Sequence, residues 1–593
     1  MISTMKKITK LSYAVAVAAI LGTSCNKLDE FNPSNTTGDA IWATPEGFTT
    51  LVNGAYRDIH TLYGTEPGLS LGEVGTDLWI GNGGNVPNPY YTYAGLVPSH
   101  GTLSETWRNL WNGINMCNTG IANVDKAGFI DQKEKAIRLA ELHFMRALYY
   151  YHLVEQWGGV MLRTEPTTEP KYTAERSNPE AFYDLMISDL LFAKENLPKD
   201  WGADAAKSEY GRASKKSAAG LLARVYLTRA SYSTGGDAAA WYTKAKDAAL
   251  DVINNYIAYG CELYKTPADL WNPNNNKLNK ESLFSVTYSV TNVTWSYNST
   301  NGNRMYKWFA TKYNGYPGLT MDIKYGHDGD QKAMPTWHLL DLFDETKDAR
   351  YDATFQEKWF ANVKSYPWKA TDTSAFLKNW ADVNGKTVDT LSLAMHITKG
   401  VIGSSEDKRK IPYVTFDRND TYDNPVPGTP AKLNSDPLKR KFFVFMKKFL
   451  DNTRPLATTS GGWNDVFAIR FAEMYFIAAE AFHKLGDNAS AATYINVIRD
   501  RAKKPGATDF LIDASKVNMD FILDERAREF CGEQLRFYDL KRVFRGEDFA
   551  NYIKTYNPDI TVVTKYHRLR PVPQAEMDAL LNSAEFKQTE GYN

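Results

Sequence analysis

The chain has 593 residues, with 69 basic and 69 acidic side chains and a formal net charge of zero. That balance excludes a sequence-independent grip on nucleic acid, which needs a basic surface to release counterions, so no nucleic-acid partner is expected. Aromatic residues are abundant, with 35 Tyr, 28 Phe and 15 Trp making 13% of the chain, and part of that share is expected near the surface as ligand-binding faces.

The chain opens with Lys6, Lys7 and Lys10, then the apolar run Leu11 to Gly22, then Thr23-Ser24-Cys25. A basic start, a short apolar stretch and small residues before a break are the parts of a secretory signal, placed at residues 1–24. As a helix this apolar run would rise only about 18 Å, short of a bilayer core of roughly 30 Å, so it does not span a membrane. Leu21-Gly22-Thr23-Ser24-Cys25 resembles a bacterial lipobox, with Gly22 where leucine is usual. The expectation is that Cys25 carries lipid and anchors the mature chain. The acidic Asp29-Glu30 behind it resemble the surface-export signals of some Gram-negative lipoproteins, which implies the outer membrane and the cell surface. Lipidation leaves Cys117, Cys261 and Cys531. Three widely spaced cysteines make neither a disulfide framework nor a CxxC metal pair, and buried thiols are expected.

Residues 45–62 and 103–124 read as a divergent helix pair separated by a long loop. That loop carries Asp77, Trp79, Asn82, Asn85, Tyr90, Tyr91 and Tyr93 among Gly, Asn and Pro. Helix follows over 132–157, where Ala140, Phe144, Ala147, Leu148 and Tyr151 recur at three- and four-residue spacing on one face. Gly158-Gly159 stops it, and Pro179 suits the first turn of a helix over 178–196. Further pairs are predicted at 214–231 with 237–255 and at 466–485 with 489–502. Small residues (Ala219, Ala223, Ala245, Ala249, Ala478 and Ala481) fall where the paired helices cross closely. Helix, Gly-rich turn, helix at a period of about 34 residues is the tetratricopeptide pattern.

Between the second and third of these pairs the composition changes. Residues 267–462 are rich in Asn, Gly, Thr, Tyr and Trp, with β-like runs at 282–289 and 442–448. They read as a loop-rich excursion between an N-terminal helical region at 25–266 and a C-terminal one at 463–593. The predicted fold class is therefore mostly α, a tetratricopeptide-like helical-repeat scaffold with an irregular lobe containing short strands. Within the excursion, Trp295, Tyr297, Asn298, Asn303, Arg304, Tyr306, Trp308, Tyr313 and Tyr316 form a second aromatic and polar cluster. A sugar ring has an apolar C–H face and a rim of hydroxyls, so its site needs flat aromatic platforms beside Asp, Asn and Arg. Asp77, Trp79, Asn82, Tyr90, Tyr91, Tyr93, Trp295, Tyr297, Asn298, Arg304 and Trp308 are the expected ligand contacts.

Several stretches resemble a known family. Arg470 to Ala481 (RFAEMYFIAAEA), Ile495 to Ala502 (INVIRDRA), Ile522 to Phe530 (ILDERAREF) and Gln534 to Arg542 (QLRFYDLKR) resemble the helical signature of SusD/RagB outer-membrane lipoproteins. Ala140 to Tyr151 (AELHFMRALYYY) and Gly211-Arg212-Ala213 are similar to its N-terminal half. The tail from Arg570 to Tyr592 is similar too, with Thr589-Glu590 where the family has Asn-Pro. The resemblance implies tetratricopeptide helices supporting an irregular lobe, capture of glycan at the cell surface, and delivery to a SusC-like TonB-dependent transporter. Peptide cargo, as in the RagB branch, is the alternative on the same fold.

Sequence motifs for catalysis and cofactors point the same way. No HExxH and no zinc-type His or Cys pair occurs. Gly385-Lys386-Thr387 lacks the glycine of a phosphate loop, having Trp380 in its place. The acids of Asp524-Glu525-Arg526-Ala527-Arg528-Glu529 have arginines one to four places away, the pattern of a structural ion-pair network. No cofactor, metal or catalytic residue is expected, and an enzyme on the helical scaffold is the less favoured alternative.

Overall fold

The computed structural model describes residues 42–81, 89–202, 209–289, 302–326, 331–364, 389–436 and 439–592. Helices α1 (Pro45–Ala55), α2 (Glu66–Gly72), α3 (Gly101–Asn123), α4 (Gln132–Trp157), α5 (Pro179–Asn196), α6 (Lys215–Tyr232) and α7 (Gly235–Asn254) occupy the N-terminal half. Their ends are set locally. Thr44 caps α1 by accepting from Gly47 N at 3.1 Å, and Asn178 caps α5 by accepting from Glu180 N at 3.2 Å. Gly158 ends α4 with φ +72°, a conformation in which a Cβ is strained.

Each helix packs on the next in chain order from α3 to α7. The stack then continues with α8 (Phe471–Lys484) and α9 (Asn488–Ala502), although more than 200 residues separate α7 from α8. The excursion is thus inserted between neighbouring helical layers. The predicted small residues are all buried at these crossings.

The structure corrects one element. Residues 466–485 read as one helix, but Val466–Arg470 is strand β9, antiparallel to β2 (Ser282–Val286). All five residues of β9 are buried, and a short apolar run has the same pattern in a buried strand as in a buried helix. Helix α6 lies on this ribbon, and Gly220 permits it: a Cβ there would sit 2.8 Å from Leu283 Cδ1 and 3.0 Å from Ile469 Cγ2.

Elsewhere β1 (Trp79–Gly81), from the N-terminal region, pairs with β3 (Ala333–Pro335) of the excursion, β4 (Phe355–Gln356) with β8 (Phe445–Met446), and β5 (Lys358–Phe360), β6 (Leu393–Ile397) and β7 (Val414–Phe416) form a sheet. Buried ion pairs tie this lobe to the C-terminal helix α10 (Met519–Glu529) and to Glu533 just after it. Arg470 reaches Glu281, Glu529 and Glu533, while Glu525 takes Arg350, Arg499 and Arg528. Glu525 and Glu529 are therefore members of a structural ion-pair network, as their spacing predicts, while Asp524 forms no ion pair among the described residues. Cys117, Cys261 and Cys531 are free and buried.

Candidate functional site

The residues flanking the two aromatic loops meet in one place. Gly81, at the edge of the first loop, pairs with Ala333 through the β1–β3 ladder, and the Trp79 ring lies 4.6 Å from that of Phe309. Lys332 N donates to Trp308 O at 2.8 Å. At the edges of the second loop, Arg304 N donates to Gly64 O at 3.0 Å and the Tyr288 hydroxyl donates to Tyr63 O. Gly64 must be glycine for this closure, since its φ is +85° and a Cβ would lie 2.4 Å from Tyr288 Oη.

Several predicted contacts are interior, which corrects the expectation that they face a ligand. Asp77, Trp79, Tyr90, Tyr91, Tyr93 and Trp308 are all buried. Asp77 accepts two charge-assisted bonds from Arg536, at 2.8 and 2.6 Å. Burial opposes its ionisation, but the Arg536 pair outweighs it and holds the carboxyl well below the usual carboxylate range. Trp79 Nε1 donates to Glu73 at 2.7 Å, and burial pushes the Glu73 carboxyl up to about 7. Tyr91 lies against Gly81, where a Cβ would come within 3.0 Å of its ring, and the Tyr93 hydroxyl donates to Gly75 O at 2.7 Å. The reason is packing. In a chain this large the same aromatic, glycine-rich composition also builds interior turns, and long-range partners cover these rings.

Arg304 is different. It is half-buried, its backbone anchors the loop, and its Nε makes no hydrogen bond among the described residues. Cys25, Asn82, Asn85, Trp295, Tyr297 and Asn298 lie outside the described residues.

Trp463 joins the site without having been predicted. It is half-buried, its N–H donates to Asp451 at 2.9 Å, and its indole donates to Thr453. Its neighbour Gly462 forms a two-way bridge with Asn303, N to O at 3.1 and 2.6 Å, so the ring sits beside the root of the second loop. The stretch Gly461-Gly462-Trp463-Asn464-Asp465 carried the same glycine, aromatic and polar signal, but it fell at a region boundary. Lys332 and Glu66, paired at 2.5 Å, add partly exposed polar groups at the same place.

Gly68-Leu69-Ser70-Leu71-Gly72 has the GxSxG spacing of a nucleophile elbow. Here it lies inside helix α2 rather than at a strand-to-helix turn, and Ser70 is fully buried with no hydrogen bond to its Oγ among the described residues. The spacing serves close packing, because a Cβ on Gly68 would meet Leu62 O at 1.6 Å.

The sequence model described as the SusD family matches residues 268–592. The chain belongs to the SusD family. A second model, described as starch-binding and associating with the outer membrane, matches residues 90–227. SusD-like protein P2 of Formosa agariphila is 24% identical, over 92% of this chain and 92% of its own. A SusD homolog from Bacteroides thetaiotaomicron superposes with a TM-score of 0.68 at 20% identity, covering 94% of this chain and all of its own. A laminarin-binding SusD-like protein does so with a TM-score of 0.63 at 21% identity, covering 93% of this chain and all of its own. These likenesses establish the tetratricopeptide-like helical fold with its irregular lobe.

Proposed function

We propose that this SusD-family chain is a cell-surface glycan-binding lipoprotein that captures oligosaccharide or polysaccharide and delivers it to a SusC-like TonB-dependent outer-membrane transporter. The observation that carries the reading is the convergence of both aromatic-loop roots beside Arg304 and the half-buried Trp463. The laminarin-binding neighbour of the same fold and the starch-binding description of the second family model support a glycan as the cargo. Arg304, Trp463, Asn82, Trp295, Tyr297 and Asn298 are the contacts proposed. The buried Asp77, Trp79, Tyr90, Tyr91, Tyr93 and Trp308 serve as footings that fix where the loops start and end.

The chain binds without turning its ligand over, since cargo for a transporter must arrive intact. An aromatic platform that hides roughly 80 Å² of apolar area contributes about 2 kcal/mol. Three platforms give about 6 kcal/mol, a dissociation constant of about 40 μM, and association costs weaken this into a range reaching roughly 10 mM. Calorimetry against a panel of neutral glycans, repeated with Trp463→Ala and Trp295→Ala, tests the reading. The expected result is weak binding to one glycan class, reduced at least fivefold in each variant, with no product released. Undiminished binding in both variants moves the site elsewhere, and steady product release makes the protein an enzyme.

A further inference from the structure

Beside that face, a cleft of about 290 Å³ opens between the N-terminal turn of α6 and strand β2. This is just under the roughly 300–1,000 Å³ of drug-sized ligand sites, enough for a single ring rather than an extended chain. One wall is the half-buried indole of Trp201. The ring is fixed: Nε1 donates to Ala213 O at 2.8 Å, and the guanidinium carbons of Arg138 and Arg212 lie 5.5 and 5.8 Å from its centroid.

The polar lining holds one ammonium outside any ion pair among the described residues, that of Lys216, and several hydroxyls. Lys216 donates to the Gly260 carbonyl at 3.3 Å and forms no ion pair among the described residues. Burial pulls its pKa down, as expected of a poorly solvated ammonium. Arg212 is bound through its terminal nitrogens to Glu141 and Asn53, which leaves a buried Nε without a hydrogen bond among the described residues. The Ser282 and Ser285 hydroxyls lie 2.6 Å apart on β2. Asp200 also lines the cleft and acts on Lys216, while the solvent-facing Lys280 is paired with Glu262 at 3.4 Å.

From this juxtaposition we infer that the cleft is a second ligand site, for one acidic sugar ring of the hexuronate class. The indole takes the C–H face of the ring, and the serines take its hydroxyls. The Lys216 ammonium takes the carboxylate, in the favourable field at the start of α6. The site abuts the proposed glycan face. Tyr210, which also lines the cleft, donates to Asp465 at 2.5 Å, and Asp465 in turn accepts from Tyr288 N at 3.1 Å at the root of the second aromatic loop.

The test is saturation-transfer NMR and calorimetry on the mature protein with sodium glucuronate, glucose and sodium acetate as separate probes. Glucuronate should bind at least tenfold more tightly than glucose or acetate. Lys216→Gln should weaken it at least tenfold while leaving the melting temperature and neutral-glycan binding unchanged. Ser285→Leu, which narrows the cleft and alters no charge, should give the same loss and stands in if Lys216→Gln does not fold. No binding of glucuronate, binding unaffected by both variants, or acetate binding as tightly as glucuronate overturns the assignment. Loss of glucuronate and neutral-glycan binding together in Lys216→Gln overturns it as a separate site.

Discussion

Replacing Arg224 with Met tests what holds the excursion closed, because Arg224 on α6 pairs with Glu473 on α8 across 249 positions of sequence. Its Nε and Nη2 donate to the Glu473 carboxylate at 2.8 and 2.6 Å, and Nη2 also donates to Ala468 O at 2.8 Å. Both side chains are buried. Burial disfavours the guanidinium charge, yet the adjacent Glu473 holds the Arg224 pKa above its ordinary value. Methionine keeps much of the stem's volume but leaves a buried carboxylate without its cation. Removing one member of such a pair costs about 3–5 kcal/mol, because the remaining charge stays in a low-dielectric interior.

The double variant Arg224→Met/Glu473→Met has no stranded charge and should regain most of the stability. Urea denaturation followed by circular dichroism, on both single variants and the double variant, gives the coupling as a double-mutant cycle. A loss below about 1 kcal/mol at pH 8, or a coupling near zero, would show that the pair does not hold the layers together.

Gly113→Ala should destabilise by about 1–3 kcal/mol despite the better helix propensity of alanine. The new Cβ would lie 2.3 Å from Tyr149 Cζ, in a ring tethered by its hydroxyl to Ala55 O at 2.8 Å, and an unchanged melting temperature refutes this. Glu73, raised to about 7 from 4.5, favours the folded state below pH 4.5 and loses that contribution as pH rises through 7. Glu73→Gln should therefore flatten the decline in melting temperature over that window. Glu525 has the opposite sign. Despite its burial, Arg528, Arg350 and Arg499 hold its pKa at about 2, so its contribution is present above pH 4.5 and lost as pH falls through 2. Glu525→Gln should remove that acid-side loss along with the stability present at neutral pH. Cys25→Ala should release the protein from membranes, since each buried methylene of its lipid is worth about 0.8 kcal/mol; full membrane retention counts against the lipid anchor.

Helix periodicity, punctuation and charge spacing were legible in the sequence because each is a local property. The face through Ala140, Phe144, Ala147 and Tyr151 determined α4, and Gly158 determined where it stops. The alternation of acids and arginines around Glu525 and Glu529 determined that these acids are paired. What lies beneath the surface was not legible, because burial depends on partners far along the chain. Asp77 is interior because Arg536 meets it from 459 positions away, and Trp79 is interior because β1 finds β3 more than 250 residues later. The same distance rule hid β9, whose apolar run became a strand when β2 supplied its hydrogen bonds, and it hid Trp463, which reaches the site through the Gly462–Asn303 bridge. An aromatic residue in a glycine-rich stretch carries the same local signal whether it faces solvent or core, and only the tertiary structure decides which side is covered.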